Sequence, residues 1–172
     1  MSQQPYIDGF EFAESGETRA GRWALRELPR LRPSLVDDAG ELHYELRGTR
    51  DALGRRALGL KISAVLPLCC QRCLDTLMFP LELDAILVLA TSEAEIDADA
   101  DDPEAPDRVL AKREMPIGEL IEEEVLLAMP FAPRHERCGE RTREIGEHRA
   151  SPFAGLSALL EASSGEARNR RR

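Results

Sequence analysis

Glu41-Leu42-His43-Tyr44-Glu45-Leu46, followed by Leu58-Gly59-Leu60-Lys61-Ile62-Ser63-Ala64-Val65-Leu66, decides the fold class. Leu42, Tyr44 and Leu46 alternate with polar neighbours, and Leu58, Leu60, Ile62, Ala64 and Leu66 alternate again. A period of two belongs to strands, whose successive side chains point to opposite faces. Asp51-Ala52-Leu53-Gly54 between the runs turns the chain, so together they predict a hairpin. Working outward, residues 76–90 place Leu77, Phe79, Leu81, Leu83, Leu87 and Leu89 on one phase and predict a third strand. Pro80 cannot donate to a ladder and implies an edge position or a bulge. Three antiparallel strands with one apolar face need a lid. From Pro116 a helical pattern supplies it, with Ile117, Leu120, Ile121, Val125 and Ala128 spaced by three and four before Pro130. The expected class is α+β: an antiparallel β-sheet or partly open barrel covered by a central-to-C-terminal helix, with a long acidic loop and flexible tails. Glu119, Glu122, Glu123 and Glu124 crowd the first half of that helix, where the dipole favours negative charge, and are expected on its solvated face.

The chain has 172 residues, 42% hydrophobic and 32% charged, which suits one compact domain with tails. That domain is expected over residues 1–160, with an acidic mobile loop at 91–108 inserted and a disordered basic tail at 161–172. Residues before 41 are mixed. Phe10-Glu11-Phe12 is a short apolar piece, and a helix from Glu27 to Leu35 is opposed by Pro29 and Pro33. Ser151 to Leu160 predicts a short docking helix. No apolar run approaches the roughly 18–20 residues of a membrane span, and the first residues lack a basic-then-apolar signal pattern. The expected address is cytoplasmic, with no membrane partner.

A formal net charge of -9 argues against a nucleic-acid partner until its distribution is read. Between Ser92 and Arg108 lie Glu93, Glu95, Asp97, Asp99, Asp101, Asp102, Glu104 and Asp107 against Arg108 alone, a balance of -7. The remainder carries only -2. That acidic stretch also holds Pro103 and Pro106 and lacks aromatics, a composition that cannot order itself by burial. Positive charge is clustered instead, above all in Arg47, Arg50, Arg55, Arg56 and Lys61 on the hairpin and in Arg168, Arg170, Arg171 and Arg172 at the end. Arginine forks two donors and stays charged, which suits phosphate. Aromatic content of 5% means that stacking platforms for nucleic-acid bases cannot be abundant.

Chemistry is signalled most sharply by Cys70-Gln71-Arg72-Cys73 between two strands, where a two-residue spacer lets both thiolates face one point. His135-Glu136-Arg137-Cys138 repeats the spacing just after the helix and would complete a Cys3His set for tetrahedral zinc. Sixty-one residues separate the pairs, and Cys69 offers a competing thiol. One structural zinc, buried or idle thiols, and a redox dithiol all remain open, the last without the helix-start context that lowers a redox thiol's pKa. Phosphate-binding glycine loops, Gly-x-Ser-x-Gly and His-Glu-x-x-His are missing, so no enzyme is expected. His43 falls on the polar phase of a strand, and His148 stands in a charged stretch.

Cys70-Gln71-Arg72-Cys73-Leu74 after an alternating strand, then Ile121-Glu122-Glu123-Glu124-Val125-Leu126-Leu127-Ala128-Met129-Pro130 followed by Pro133, His135 and Cys138, and finally Pro152-Phe153-Ala154-Gly155-Leu156, stand in a familiar order. From about Gly21 to Leu160 the chain resembles the YceD family, the bacterial large ribosomal RNA subunit accumulation proteins. The resemblance implies a ribosome-biogenesis factor that supports synthesis, processing or stability of 23S rRNA, and no known catalyst. Two departures stand out: the short His-x-x-Cys spacing, which bears on metal geometry, and Ser151 and Gly155 in place of Asn and a larger apolar residue, which bear on docking of the last helix. Combined with the charge pattern, the expectation is non-catalytic binding to 23S rRNA or its precursor through Arg47, Arg50, Arg55, Arg56 and Lys61, with no small-molecule substrate. The alternatives are an adaptor whose acidic loop recruits a basic ribosomal protein, and a thiol oxidoreductase using Cys70 and Cys73.

Overall fold

The computed structural model describes residues 5–97 and 106–138. In chain order the elements are β1 (Tyr6–Ile7), α1 (Gly9–Ser15), β2 (Thr18–Ala24), β3 (Glu41–Arg50), β4 (Arg56–Cys69), β5 (Thr76–Ala90), α2 (Glu93–Asp97), β6 (Arg108–Leu110), β7 (Met115–Pro116) and α3 (Ile117–Ala128). The anticipated hairpin is β3–β4, the third strand is β5 and the lid is α3. Together they make an α+β fold on an open sheet of order β2-β3-β4-β5-β6, not closed into a barrel. All its pairings are antiparallel except β5 with β6, which is parallel over Val88–Ala90. Among the described residues, β5 beyond that short overlap pairs only with β4, so Pro80, opposite Val65, sits where no described strand pairs with its other edge.

Register puts the core together row by row. Gly48, Leu58 and Leu87 align, as do Leu46, Leu60 and Ala85, and then Leu42, Ala64 and Leu81. Leu42, Leu46, Leu58, Leu60, Leu66 and Leu87 are wholly excluded from solvent, as are Ile117, Ile121 and Val125 of α3 in the same cluster. Each such side chain contributes about 1.5–3 kcal/mol by leaving water. The opposite face carries Arg22, His43, Glu45, Arg47, Lys61, Ser63, Glu82 and Asp84, mostly exposed, with His43 facing outward as its phase implied.

Helix α1 begins at Asp8, whose carboxylate accepts from the Glu11 N–H at 3.0 Å, and ends at Gly16 with φ 65°. It packs so closely on β3 that a Cβ at Gly48 would overlap the Phe12 carbonyl. Strand β1 pairs with β7, and the Ile117 N–H donates to the Pro5 carbonyl at 3.1 Å, tying the start of α3 to the N-terminal segment.

Residues 27–35 do not form the expected α-helix. Pro29 and Pro33 break the ladder, and 3-10 turns at Leu25–Glu27 and Arg32–Ser34 replace it, still delivering Leu25, Leu28 and Leu31 to the core. The solvated-face reading holds for Glu119 and Glu123, which are exposed, and is corrected for Glu122 and Glu124, which are buried at 3% and 7% exposure. Glu122 accepts from the Arg30 N–H at 2.7 Å and the Leu31 N–H at 3.4 Å, satisfying backbone that the proline-broken segment leaves unpaired. Burial, with Asp107 and Glu123 nearby, pushes the Glu124 carboxyl above the usual range. Within the acidic stretch expected as a loop, Glu95 caps a turn of helix by accepting from the Thr91 N–H and hydroxyl, and β6 follows. Residues 98–105, the anticipated docking helix at 151–160 and the basic tail at 161–172 lie outside the described residues.

Two substitutions test this packing by chemical denaturation. Gly48→Ala forces α1 off β3 and should cost about 1–3 kcal/mol. Glu122→Ala removes the acceptor of the buried Leu31 N–H and the part-buried Arg30 N–H and should cost a similar 1–3 kcal/mol or so. Unchanged midpoints would contradict the close approach and the carboxylate strap respectively.

Candidate metal centre

The long β4–β5 ladder closes at Cys69 opposite Thr76, so the chain must reverse within residues 70–75. It does so in a knuckle: the Leu74 N–H donates to the Cys70 carbonyl at 2.9 Å, and the Cys70 N–H to the Asp75 carbonyl at 3.0 Å. Leu74 takes φ 64°, the one left-handed non-glycine among the described residues. Such backbone costs a side-chain-bearing residue free energy and persists where the surroundings over-determine it. Here the turn has to aim Cys70 and Cys73 at one point.

From the other side, α3 ends at Ala128, and residues 129–138 run back to the knuckle. The Gln71 N–H donates to the Pro133 carbonyl at 2.8 Å, which fixes the returning segment against the turn. That bond brings in His135 and Cys138. One ligand atom from each of Cys70, Cys73, His135 and Cys138 lies within 4.8 Å of the others, a group that could hold a metal ion. Cys70 Sγ and Cys138 Sγ are 3.7 Å apart, and Cys73 Sγ and His135 Nδ1 are 3.4 Å apart. A tetrahedral shell with zinc-like bond lengths has edges of about 3.7 Å between sulfurs and about 3.5 Å from sulfur to nitrogen. The Cys70–Cys138 and Cys73–His135 edges fit that shell.

Protonation fits as well. His135 Nε2 lies 3.2 Å from the Thr76 carbonyl oxygen. A carbonyl only accepts, so the ring proton belongs on Nε2 and the Nδ1 lone pair faces the cluster, the outer-shell arrangement that orients a ligating histidine. Backbone N–H groups of Cys73, and also of His135 and Arg72, hold the Cys70 thiol down at about 5 against the opposing effect of burial. The Asp75 N–H also lowers the Cys73 thiol, but burial and the neighbouring Cys70 and Cys138 sulfurs outweigh it and push Cys73 up to about 11. A cation among these sulfurs would relieve the repulsion that keeps Cys73 protonated. Cys69, the competing thiol, is not in the group; its Sγ lies 3.8 Å from the Leu74 carbonyl oxygen.

The hairpin cations are not gathered in the same way. Arg47 and Lys61 lie on the outer sheet face, where Lys61 pairs with Asp84 at 3.5 Å beside Glu45 and Glu82, in an open groove of about 580 Å³. Arg50 donates to the Gly54 carbonyl at 2.9 Å, and Arg55 bonds Asp51 at 2.6 Å inside the turn. Arg56 faces α1, covering the Phe10 ring at 4.0 Å and pairing with Glu14 at 3.1 Å. Sequence reading missed these internal partners because Phe10 and Glu14 sit on a seven-residue helix too short to announce itself.

With fold and cluster in place, the chain can be assigned a class. Residues 58–160, more than half of its length, match the family described as Large ribosomal RNA subunit accumulation protein YceD. The chain belongs to the YceD family, and its class is that of proteins of large ribosomal RNA accumulation. Comparison with curated proteins and with solved structures gives no match to either. No helix among the described residues is long and apolar enough to cross a membrane.

Titration with cobalt(II) should saturate at one ion per chain and fail with Cys73→Ser. Because ligation must expel the proton held at Cys73, apparent affinity should rise with pH across the neutral range, about tenfold per unit for each proton released. No uptake, or uptake indifferent to pH and to Cys73, would contradict the site.

Proposed function

We propose that this protein supports 23S rRNA synthesis, processing or stability by binding precursor rRNA without catalysing a reaction on it, and that its Cys3His cluster holds one structural zinc. The observation that carries the reading is the closed set of four protein donors. Catalytic zinc keeps a position open for water or substrate, and four side chains within one shell leave none. Zinc here staples the end of α3 to the β4–β5 turn.

Burial argues against the thiols as reagents. Cys70 is wholly excluded from solvent and Cys73 is 9% exposed, whereas an exchanging thiolate has to be reached by its partner. Cys70 and Cys73 belong to one set of four donor atoms within 4.8 Å of one another, with Cys138 Sγ 3.7 Å from Cys70 Sγ, an arrangement that suits a metal shell better than a two-thiol couple.

RNA contact is sequence-tolerant and electrostatic, since phosphate neutralisation dominates affinity. Of the five hairpin cations, Arg47 and Arg50 are exposed and have no ion pair with a described carboxylate, so they are the members best able to meet phosphate; Arg55, Arg56 and Lys61 add to the local field while paired. A cytoplasmic address and ribosomal proteins as additional partners follow from the same reading.

Gel-shift titrations with 23S precursor fragments at two salt concentrations test it. The wild type should shift RNA at low salt, and Arg47→Ala with Arg50→Ala should weaken binding and reduce the salt slope by about one to two. No shift at low salt would overturn direct binding in favour of an adaptor that reaches RNA through a basic ribosomal protein.

A further inference from the structure

Phe131 is 105% exposed, as open to solvent as a phenylalanine in an extended peptide. Of the other described aromatics, Phe12 is buried, Phe10 and Phe79 pack against the core, Trp23 stacks on Tyr44 at 5.3 Å, and Tyr6 is 52% exposed. Phe131 lies two residues before Pro133, whose carbonyl is bound by the knuckle, and four before His135. Leu74, 67% exposed in its left-handed conformation, presents a second apolar side chain from the knuckle itself.

Arginines flank these two residues. Arg72 precedes Cys73, Arg134 precedes His135 and Arg137 precedes Cys138, so each is chained directly to a donor of the four-residue cluster. All three are exposed, and no ion pair among the described residues engages any of them. This contrasts with Arg55 and Arg56, whose guanidinium groups are committed to Asp51 and Glu14. Asp75 and Glu136 share the same two segments, leaving an excess of a single positive charge. Charge alone therefore gives weak capture, and an additional source of binding energy is needed.

From this arrangement we infer that the metal knuckle is the principal RNA contact: Phe131 stacks on an unpaired base while Arg72, Arg134 and Arg137 hold the phosphates on either side. The inference rests on the rRNA-binding reading and gives it a place on the molecule. A planar ring beside planar, always-charged guanidinium groups matches a single-stranded polyanion, which offers base faces and phosphates in alternation. An acidic polypeptide would satisfy the arginines but offers Phe131 no planar partner. Metal ligation makes the platform rigid, because donors on two segments far apart in sequence fix the chain positions from which the three arginines project.

The test uses full-length, zinc-loaded protein and a labelled unpaired RNA of about 10 nucleotides, the scale of a single-strand site. Phe131→Ala should weaken binding about tenfold with an unchanged salt slope, and Phe131→Trp should restore it. Replacing Arg72, Arg134 and Arg137 together by Ala should lower the slope of log affinity against log salt by about two. Zinc content and circular dichroism should stay at wild-type values, since none of the four side chains ligates or is buried. Wild-type affinity in Phe131→Ala overturns the inference, as does displacement of the RNA by poly-glutamate at matched charge, which would mark the surface as one for acidic proteins. If precursor fragments bind the wild type but the knuckle variants are indistinguishable from it, this inference fails alone. If the wild type binds no RNA, the proposed function fails with it.

Discussion

The antiparallel ladder between β4 and β5 is the constraint on which the rest of the molecule depends. It runs from Ala57 opposite Val88 to Cys69 opposite Thr76 without interruption, so its register fixes the core and the cysteine turn together. A slip of one residue would carry Lys61, Ser63, Glu82 and Asp84 into the interior in place of Leu60, Ile62, Leu81 and Leu83. The same slip would move Cys70 and Cys73 out of line with His135 and Cys138. Packing of leucines thus positions, at the ladder's far end, a four-donor group that could hold a metal ion and that includes residues of the segment leaving α3.

What the sequence disclosed follows from how local each signal is. Alternation in 42–46, 58–66 and 77–89 reports a strand's own two faces, and the three-and-four spacing from Ile117 reports a helix's own stripe, so these elements could be read directly. Strand β2 could not, because its inward positions are Arg19, Gly21 and Trp23: Arg19 lies over the Phe12 ring at 5.6 Å, and Gly21 makes room for the Tyr44 ring. No apolar alternation survives in such a strand. The burial of Glu122 was equally hidden, since its partners Arg30 and Leu31 lie about ninety residues earlier in the chain. For the metal group, each pair was visible by its two-residue spacer. Their convergence was not, because it depends on the segment after α3 running back to the knuckle, where the Gln71 N–H donates to the Pro133 carbonyl.

Charge is the other lesson. Much of the net -9 belongs to the stretch between Ser92 and Arg108, while two hairpin arginines that look free in sequence, Arg55 and Arg56, pair with carboxylates, and Arg56 also covers an aromatic ring. Counting cations therefore overstates what the hairpin can offer a polyanion. The knuckle shows the reverse: three arginines that no ion pair among the described residues engages, close in sequence to an exposed ring and to the four donors. In the proposed reading, the metal group matters to RNA because it holds that surface still and takes no part in chemistry.

Everything drawn from the knuckle rests on four specified side chains sharing one ion. X-ray absorption at the metal edge of protein purified without chelator tests this most directly. Zinc should be found bound by three sulfurs at about 2.3 Å and one nitrogen at about 2.0 Å, with no oxygen from water. Zinc absent from the protein, or a shell containing water and fewer than three sulfurs, would contradict it.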